Sequence, residues 1–112
     1  MFFSGWTIKT LSEALARGER TSYDVTKEYL QLIKGRPQLN AYLSFDEDAA
    51  LAQADAADER RQENATLGVL DGIPLAIKDN ICVKDGVTTA GSRILEGWKA
   101  PYDATVITKL KA

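Results

Sequence analysis

Apolar residues recur at helical spacing over the first part of the chain. Ile8, Leu11 and Leu15 fall at i, i+3 and i+7, which predicts a short amphipathic helix running to about Arg17. Thr10-Leu11-Ser12-Glu13 has the capping-box spacing, with Thr7 as the alternative cap, and Gly18 follows as the C′ residue. Thr21 or Ser22 opens a second helix, with Asp24 in its first turn. Val25, Tyr29 and Leu32 form its stripe, Leu30 and Ile33 widen it, and Gly35-Arg36-Pro37 ends it. The two helices are expected to pair as a hairpin, a packing role before any other.

From Leu39 the period changes to two. Leu39, Ala41, Leu43 and Phe45 alternate with Asn40, Tyr42 and Ser44, which predicts a strand. Asp46 then caps a third helix with Glu47 and Asp48 at its start and Arg60 and Arg61 at its end, both placements suited to the helix dipole. Its apolar face is narrow and small: Ala50, Leu51, Ala54 and Ala57 allow a close neighbour. The charges between, including Asp55 and Asp58 one turn apart, read as a solvated face and not as a metal site. A polar linker, Gln62 to Thr66, follows.

Gly68-Val69-Leu70-Asp71-Gly72 leads into a short apolar run, Leu75-Ala76-Ile77, entered through Gly72 and Pro74 and left through Asp79-Asn80. Turn residues at both ends predict a buried strand. Beyond it come the apolar Ile81-Cys82-Val83, a turn at Lys84-Asp85-Gly86, and the small polar Thr88-Thr89-Ala90-Gly91-Ser92. One helical turn over Arg93-Ile94-Leu95-Glu96 ends at Gly97, Trp98 is a candidate core anchor, and a last helix carries Val106, Ile107 and Leu110.

The 112 residues fit one small domain, and 45% hydrophobic with 27% charged residues allows a core and argues against wholesale disorder. A net charge of −2 gives no electrostatic case for nucleic-acid binding by these residues alone. Histidine is absent and Cys82 is the single cysteine, so HExxH, Ser-His-Asp and internal disulfides are excluded. No Walker A or GxGxxG sequence occurs. No apolar segment is long enough to span a membrane, and the first residues lack the pattern of a signal peptide; a cytoplasmic protein is the expectation. Any catalysis here must use Lys, carboxylates, hydroxyls or Cys, and the lysine to weigh is Lys78, at the end of the predicted strand. Local context reads it first as a solvated lysine just past the strand. A lysine held out of water, however, gives up its proton more readily and can serve as a base.

The run Leu70-Asp71-Gly72-Ile73-Pro74, then Lys78-Asp79-Asn80, Thr88-Thr89 with Gly91-Ser92, and Pro101-Tyr102-Asp103-Ala104-Thr105-Val106 resembles the amidase-signature family. The opening helices are similar to those of its tRNA-dependent amidotransferase branch, of which these residues correspond to about the first quarter of the glutaminase subunit. The resemblance implies a mixed α/β fold: N-terminal helices and one strand over residues 1–66, and over 67–112 the first strands of an α/β/α sandwich, incomplete. It implies a Ser–cis-Ser–Lys triad in which Lys78 is the base that relays a proton through a bridging serine while the nucleophilic serine attacks the glutamine amide. Both serines lie downstream of these residues in the family, and Ser92 matches neither. The chain by itself is therefore expected to lack glutaminase activity.

The resemblance further implies partners and cofactors of the whole complex: B and C subunits, mischarged tRNA brought through the complex, and ATP with Mg²⁺ at the B subunit. No residue here is assigned to a cofactor. A fragment of another amidase-signature hydrolase and a non-catalytic assembly module are the alternatives. Uncovered strand edges and apolar faces lead us to expect self-association.

Overall fold

The structure is a computed structural model describing residues 5–112. It divides into two compact units, Met1–Pro74 and Leu75–Ala112.

The first unit is helical. α1 (Ile8–Ala16) is capped by Thr7, whose Oγ1 accepts from the Thr10 N–H at 3.1 Å while the Thr7 N–H donates to the Thr10 hydroxyl at 2.9 Å. The capping box thus starts three residues earlier than Thr10-Leu11-Ser12-Glu13 suggests, and Thr10 fills its third helical position. The end of α1 matches expectation: Gly18 takes a φ of +69°, and the Glu19 N–H reaches back to the Ala14 carbonyl at 3.0 Å. α2 (Ser22–Lys34) is capped by Thr21 and ends at Gly35. α3 (Glu47–Gln62) is capped by Asp46, whose carboxylate accepts from the Ala49 N–H at 2.9 Å.

Leu11 and Leu15 of α1 and Val25 of α2 form the core cluster, with Tyr29 and Ile73 packed against it. The most extensive helix pairing among the described residues is nevertheless α2 with α3, and Ala54 and Ala57 of α3 are buried. Small side chains let two backbones approach, as the alanine stripe predicts.

Neither expected strand forms. Pro37–Leu39 closes a 3₁₀ turn and Asn40 enters the left-handed region at φ +48°, which breaks the extended run at its start. Leu39, Ala41, Leu43 and Phe45 are all exposed, as are Tyr42 and Ser44, so period two in sequence produces no buried face. Residues 75–78 belong to no helix, strand or bridge. Among the described residues the only β-type pairings are isolated bridges, Lys84 with Ala100 and Val87 with Lys99. The mixed α/β expectation therefore holds for its helices and fails here for its strands. A strand satisfies its N–H and C=O groups only against a neighbour, and among the described residues neither 39–45 nor 75–78 takes part in a β-type pairing.

The second unit is mostly turns around a few buried groups: Thr88, Ala100 and Ile107. Its regular pieces are a 3₁₀ turn at Arg93–Leu95 and α4 (Thr105–Lys111). Trp98 is 38% exposed and anchors no core, contrary to expectation. Its backbone does the packing instead, with its carbonyl accepting from the Thr88 N–H at 3.1 Å.

Candidate functional site

The motif from Leu70 to Asn80 runs through the boundary between the units, and each part is held by its own unit. In the first, the Asp71 side chain is held from two sides. Arg60 grips it with two bonds, Nε at 3.0 Å and Nη2 at 2.6 Å, and the Leu67 N–H adds a third at 3.1 Å. Arg61 donates to the Asp71 carbonyl at 2.9 Å. The Asp71 side chain is 3% exposed and that of Arg60 33%. The Arg60 hydrogen bonds hold the Asp71 carboxyl below its ordinary range, helped by the Leu67 N–H and opposed by burial.

Gly72 follows with φ +87°, and its α-carbon faces Ser22 so closely that an added Cβ would stand 3.2 Å from the Ser22 Cβ and Oγ. The Ser22 hydroxyl donates to the Gly72 carbonyl at 2.7 Å. Position and conformation both require glycine at the head of the Gly-Ile-Pro motif. Asp58 of α3 completes this corner: its two carboxylate oxygens accept the N–H groups of Ser22 (2.7 Å) and Tyr23 (3.0 Å), the free donors at the start of α2. Asp58 is thus an inter-helix cap and no part of a solvated face. Sequence reading overlooks it because its target lies 36 residues away.

In the second unit, Lys78 follows Leu75-Ala76-Ile77 and is exposed. The apolar wall expected from Leu75 and Ile77 is not assembled: both are exposed, at 45% and 38%, for want of a neighbouring strand. What the unit does build lies one residue later. The Asp79 carboxylate accepts from the Thr89 N–H at 3.0 Å and, in a short bond, from the Thr89 hydroxyl. The Asp79 carbonyl accepts from the Ala90 N–H at 2.9 Å, and the Lys78 carbonyl from the Ile81 N–H at 3.0 Å. The Thr89 hydroxyl oxygen also accepts from the Gly91 N–H at 3.1 Å. Bonds from the Thr89 hydroxyl, then from its N–H, hold the Asp79 carboxyl below the ordinary range. Lys-Asp-Asn and Thr-Thr-x-Gly-Ser, two separate motifs in sequence, are therefore one structure. Each residue by itself is of a type that suits a turn, an acidic residue and a hydroxyl residue, but nothing in the sequence pairs the two.

Thr88 is buried and Ser92 half-buried, its N–H bonded to the Thr89 carbonyl at 2.9 Å. Asp103 serves the loop at the far end of the unit. It accepts from the Lys84 N–H at 2.7 Å and pairs with Lys111 at 2.8 Å, and the Lys111 bond leads in lowering its pKa. Among the described residues no three or more Cys, Asp or Glu side chains converge as a metal site, and no helix is long and apolar enough to cross a membrane.

The Amidase family model matches residues 24–112, with Asp71, Gly72, Lys78, Asp79 and Thr89 among them. The chain belongs to the Amidase family. Among curated proteins it is 51% identical over 107 residues to the glutamyl-tRNA(Gln) amidotransferase A subunit of Chloroflexus aurantiacus, a match that covers 95% of this chain and 22% of that protein. The mitochondrial A subunit of Mus musculus is 42% identical, with 95% and 20% covered. A solved amidase-like structure, described as an inhibitor-bound vestigial complex bearing on the origins of an s-triazine catabolic enzyme, superposes with a TM-score of 0.85. It is 32% identical and covers 95% of this chain and 24% of its own. The chain thus spans about a fifth of the length of the curated relatives it matches, and it matches their N-terminal region.

Proposed function

We propose that these residues are the opening segment of the glutaminase subunit of a tRNA-dependent amidotransferase. The observation that carries this is 51% identity, over nearly the whole chain, to a glutamyl-tRNA(Gln) amidotransferase A subunit. In this reading Lys78 is the base of a Ser–cis-Ser–Lys triad. It takes a proton from the bridging serine, which takes one from the nucleophilic serine as that oxygen attacks the glutamine amide carbonyl. The proton returns through the bridging serine to the amide nitrogen, ammonia leaves from the tetrahedral adduct, and water releases glutamate from the acyl-enzyme. The ammonia converts Glu-tRNA(Gln) to Gln-tRNA(Gln) in a complex with B and C subunits, where ATP and Mg²⁺ act at the B subunit. The strands of an α/β/α sandwich are completed by the rest of the glutaminase subunit, which also covers Leu75 and Ile77 and takes Lys78 out of water.

The test builds these 112 residues in place of the matching segment of the Chloroflexus aurantiacus A subunit. Glutamine hydrolysis is expected with Lys78 and is lost in Lys78→Ala. Hydrolysis that survives Lys78→Ala removes the lysine from the reaction. The 112-residue chain alone is expected to release no ammonia from glutamine, since neither triad serine is among its residues; measurable release overturns that part of the reading.

A further inference from the structure

Lys78 has a long flexible stem, so where its amine goes depends first on how firmly its own backbone is fixed. We propose that Asp79 and Thr89 are positioning residues for Lys78, a proposal that rests on Lys78 being the base. The backbone leaving Lys78 is held three ways within four residues. The Lys78 carbonyl closes a turn onto Ile81, the Asp79 carbonyl takes the Ala90 N–H, and the Asp79 carboxylate takes both donors of Thr89. On the facing loop, Ala90 at φ +50° and Gly91 at φ +70° bend the chain back, and the Gly91 N–H closes onto the Thr89 hydroxyl. Thr89 is therefore donor to Asp79 and acceptor from its own loop, which no apolar side chain of the same shape can be.

On the other side of Lys78, residues 75–77 are exposed and belong to no helix, strand or bridge. The clasp alone fixes the α-carbon from which the amine is aimed. A charge-assisted bond is among the stronger ones available to a half-buried site. A base a fraction of an ångström out of place loses much of its effect. The role acts through Lys78, and neither Asp79 nor Thr89 is assigned contact with substrate.

The experiment uses the 112-residue chain and NMR. Amide exchange is read at Ile81 and Ala90, and backbone order at Lys78. Thr89→Val, which keeps shape and loses the hydroxyl, is expected to speed exchange at both amides by about ten-fold or more and to loosen Lys78. Thr89→Ser restores both; Asp79→Asn reproduces the loss in part. The change is confined to 78–81 and 89–91, with the Val25 amide in the first unit unmoved. Lys78 as ordered in Thr89→Val as in the parent chain overturns the proposal. So does loss of protection spread evenly over residues 75–112, the mark of a merely structural bond. Lys78→Ala leaves the clasp signals unchanged, so the base role is decided separately by glutamine hydrolysis.

Discussion

The two units are built from similar proportions of apolar residues and use them differently. In residues up to Pro74, Leu11, Leu15 and Val25 close a core, and each α-helix carries a side-chain cap at its start. In residues from Leu75 on, Leu75, Ile77, Val87, Ile94, Trp98, Tyr102 and Val106 are exposed, and polar clasps at Asp79 and Asp103 hold the turns. A helix satisfies its backbone from its own residues and needs only one face covered. A strand needs a neighbour before it exists at all. The α-helices of the first unit close a core among themselves, whereas its 39–45 segment, like Leu75–Ile77 in the second, leaves its apolar side chains exposed.

The largest effect is expected where that difference is sharpest. Leu15 is fully buried at 0% exposure, and Leu15→Ala should cost about 2–5 kcal/mol, enough to unfold the first unit. Denaturant titration followed by amide exchange at Leu11 and Val25 reads it. A loss below about 1 kcal/mol means the helical unit is as loosely packed as the second and erases the contrast.

Next come the polar contacts that close the same unit. Gly72→Ala places a Cβ at φ +87° and 3.2 Å from Ser22, and is expected to cost about 2 kcal/mol through strain and crowding. Asp58→Ala leaves the Ser22 and Tyr23 N–H groups without acceptors, with Ser22 only 2% exposed, and should cost about 1–2 kcal/mol. Asp58→Asn, which keeps one good acceptor, should lose less. If Asp58→Ala is neutral by thermal melt, water replaces the cap and α3 is not pinned to the start of α2 by this bond.

Acid should act on both units in the same window. Asp71, Asp79 and Asp103 are all held below the ordinary carboxylate range. A carboxyl whose folded value lies below its unfolded value, about 3.9, contributes its full stability above that value and loses it as pH falls through the folded one. Protection at Ala90 and at Leu67 is therefore expected to hold down to about pH 4 and to fall below it. In Asp79→Asn the acid dependence at Ala90 disappears and that at Leu67 persists. A loss that begins near pH 6 assigns the transition to some other group.

The helices of this chain were legible because every signal for them is local. Asp46 and Gly18 act within a few residues of where they stand, and the alanine stripe of α3 states its own packing. Thr7 was legible only as an alternative, since Thr10 offers the same chemistry three residues on. Lys78 was legible as a candidate from its motif. Its clasp was not, because Thr89 is ten residues from Asp79 and nothing in composition joins them. Asp58 and Arg60 look like surface charge until their partners, Ser22 and Asp71, are placed. The strands were misread for a different reason: alternation at 39–45 and the apolar run at 75–77 describe what those residues suit, and pairing depends on chain that is not beside them.

The smallest effect should come from Ile94, which stands 94% exposed on its 3₁₀ turn. An apolar side chain already in water has almost no burial to lose, so Ile94→Ala is expected to change stability by less than about 0.5 kcal/mol. The same residue is also the best reporter of self-association. If exposed apolar groups of the second unit meet between copies, Ile94→Ala lowers the association seen by sedimentation velocity and makes the melting temperature less dependent on concentration. A cost well above about 0.5 kcal/mol at high concentration that vanishes on dilution places Ile94 in a contact between chains. A cost that persists on dilution means that Ile94 is covered within its own chain, and the contrast between a closed unit and an open one fails at its most exposed residue.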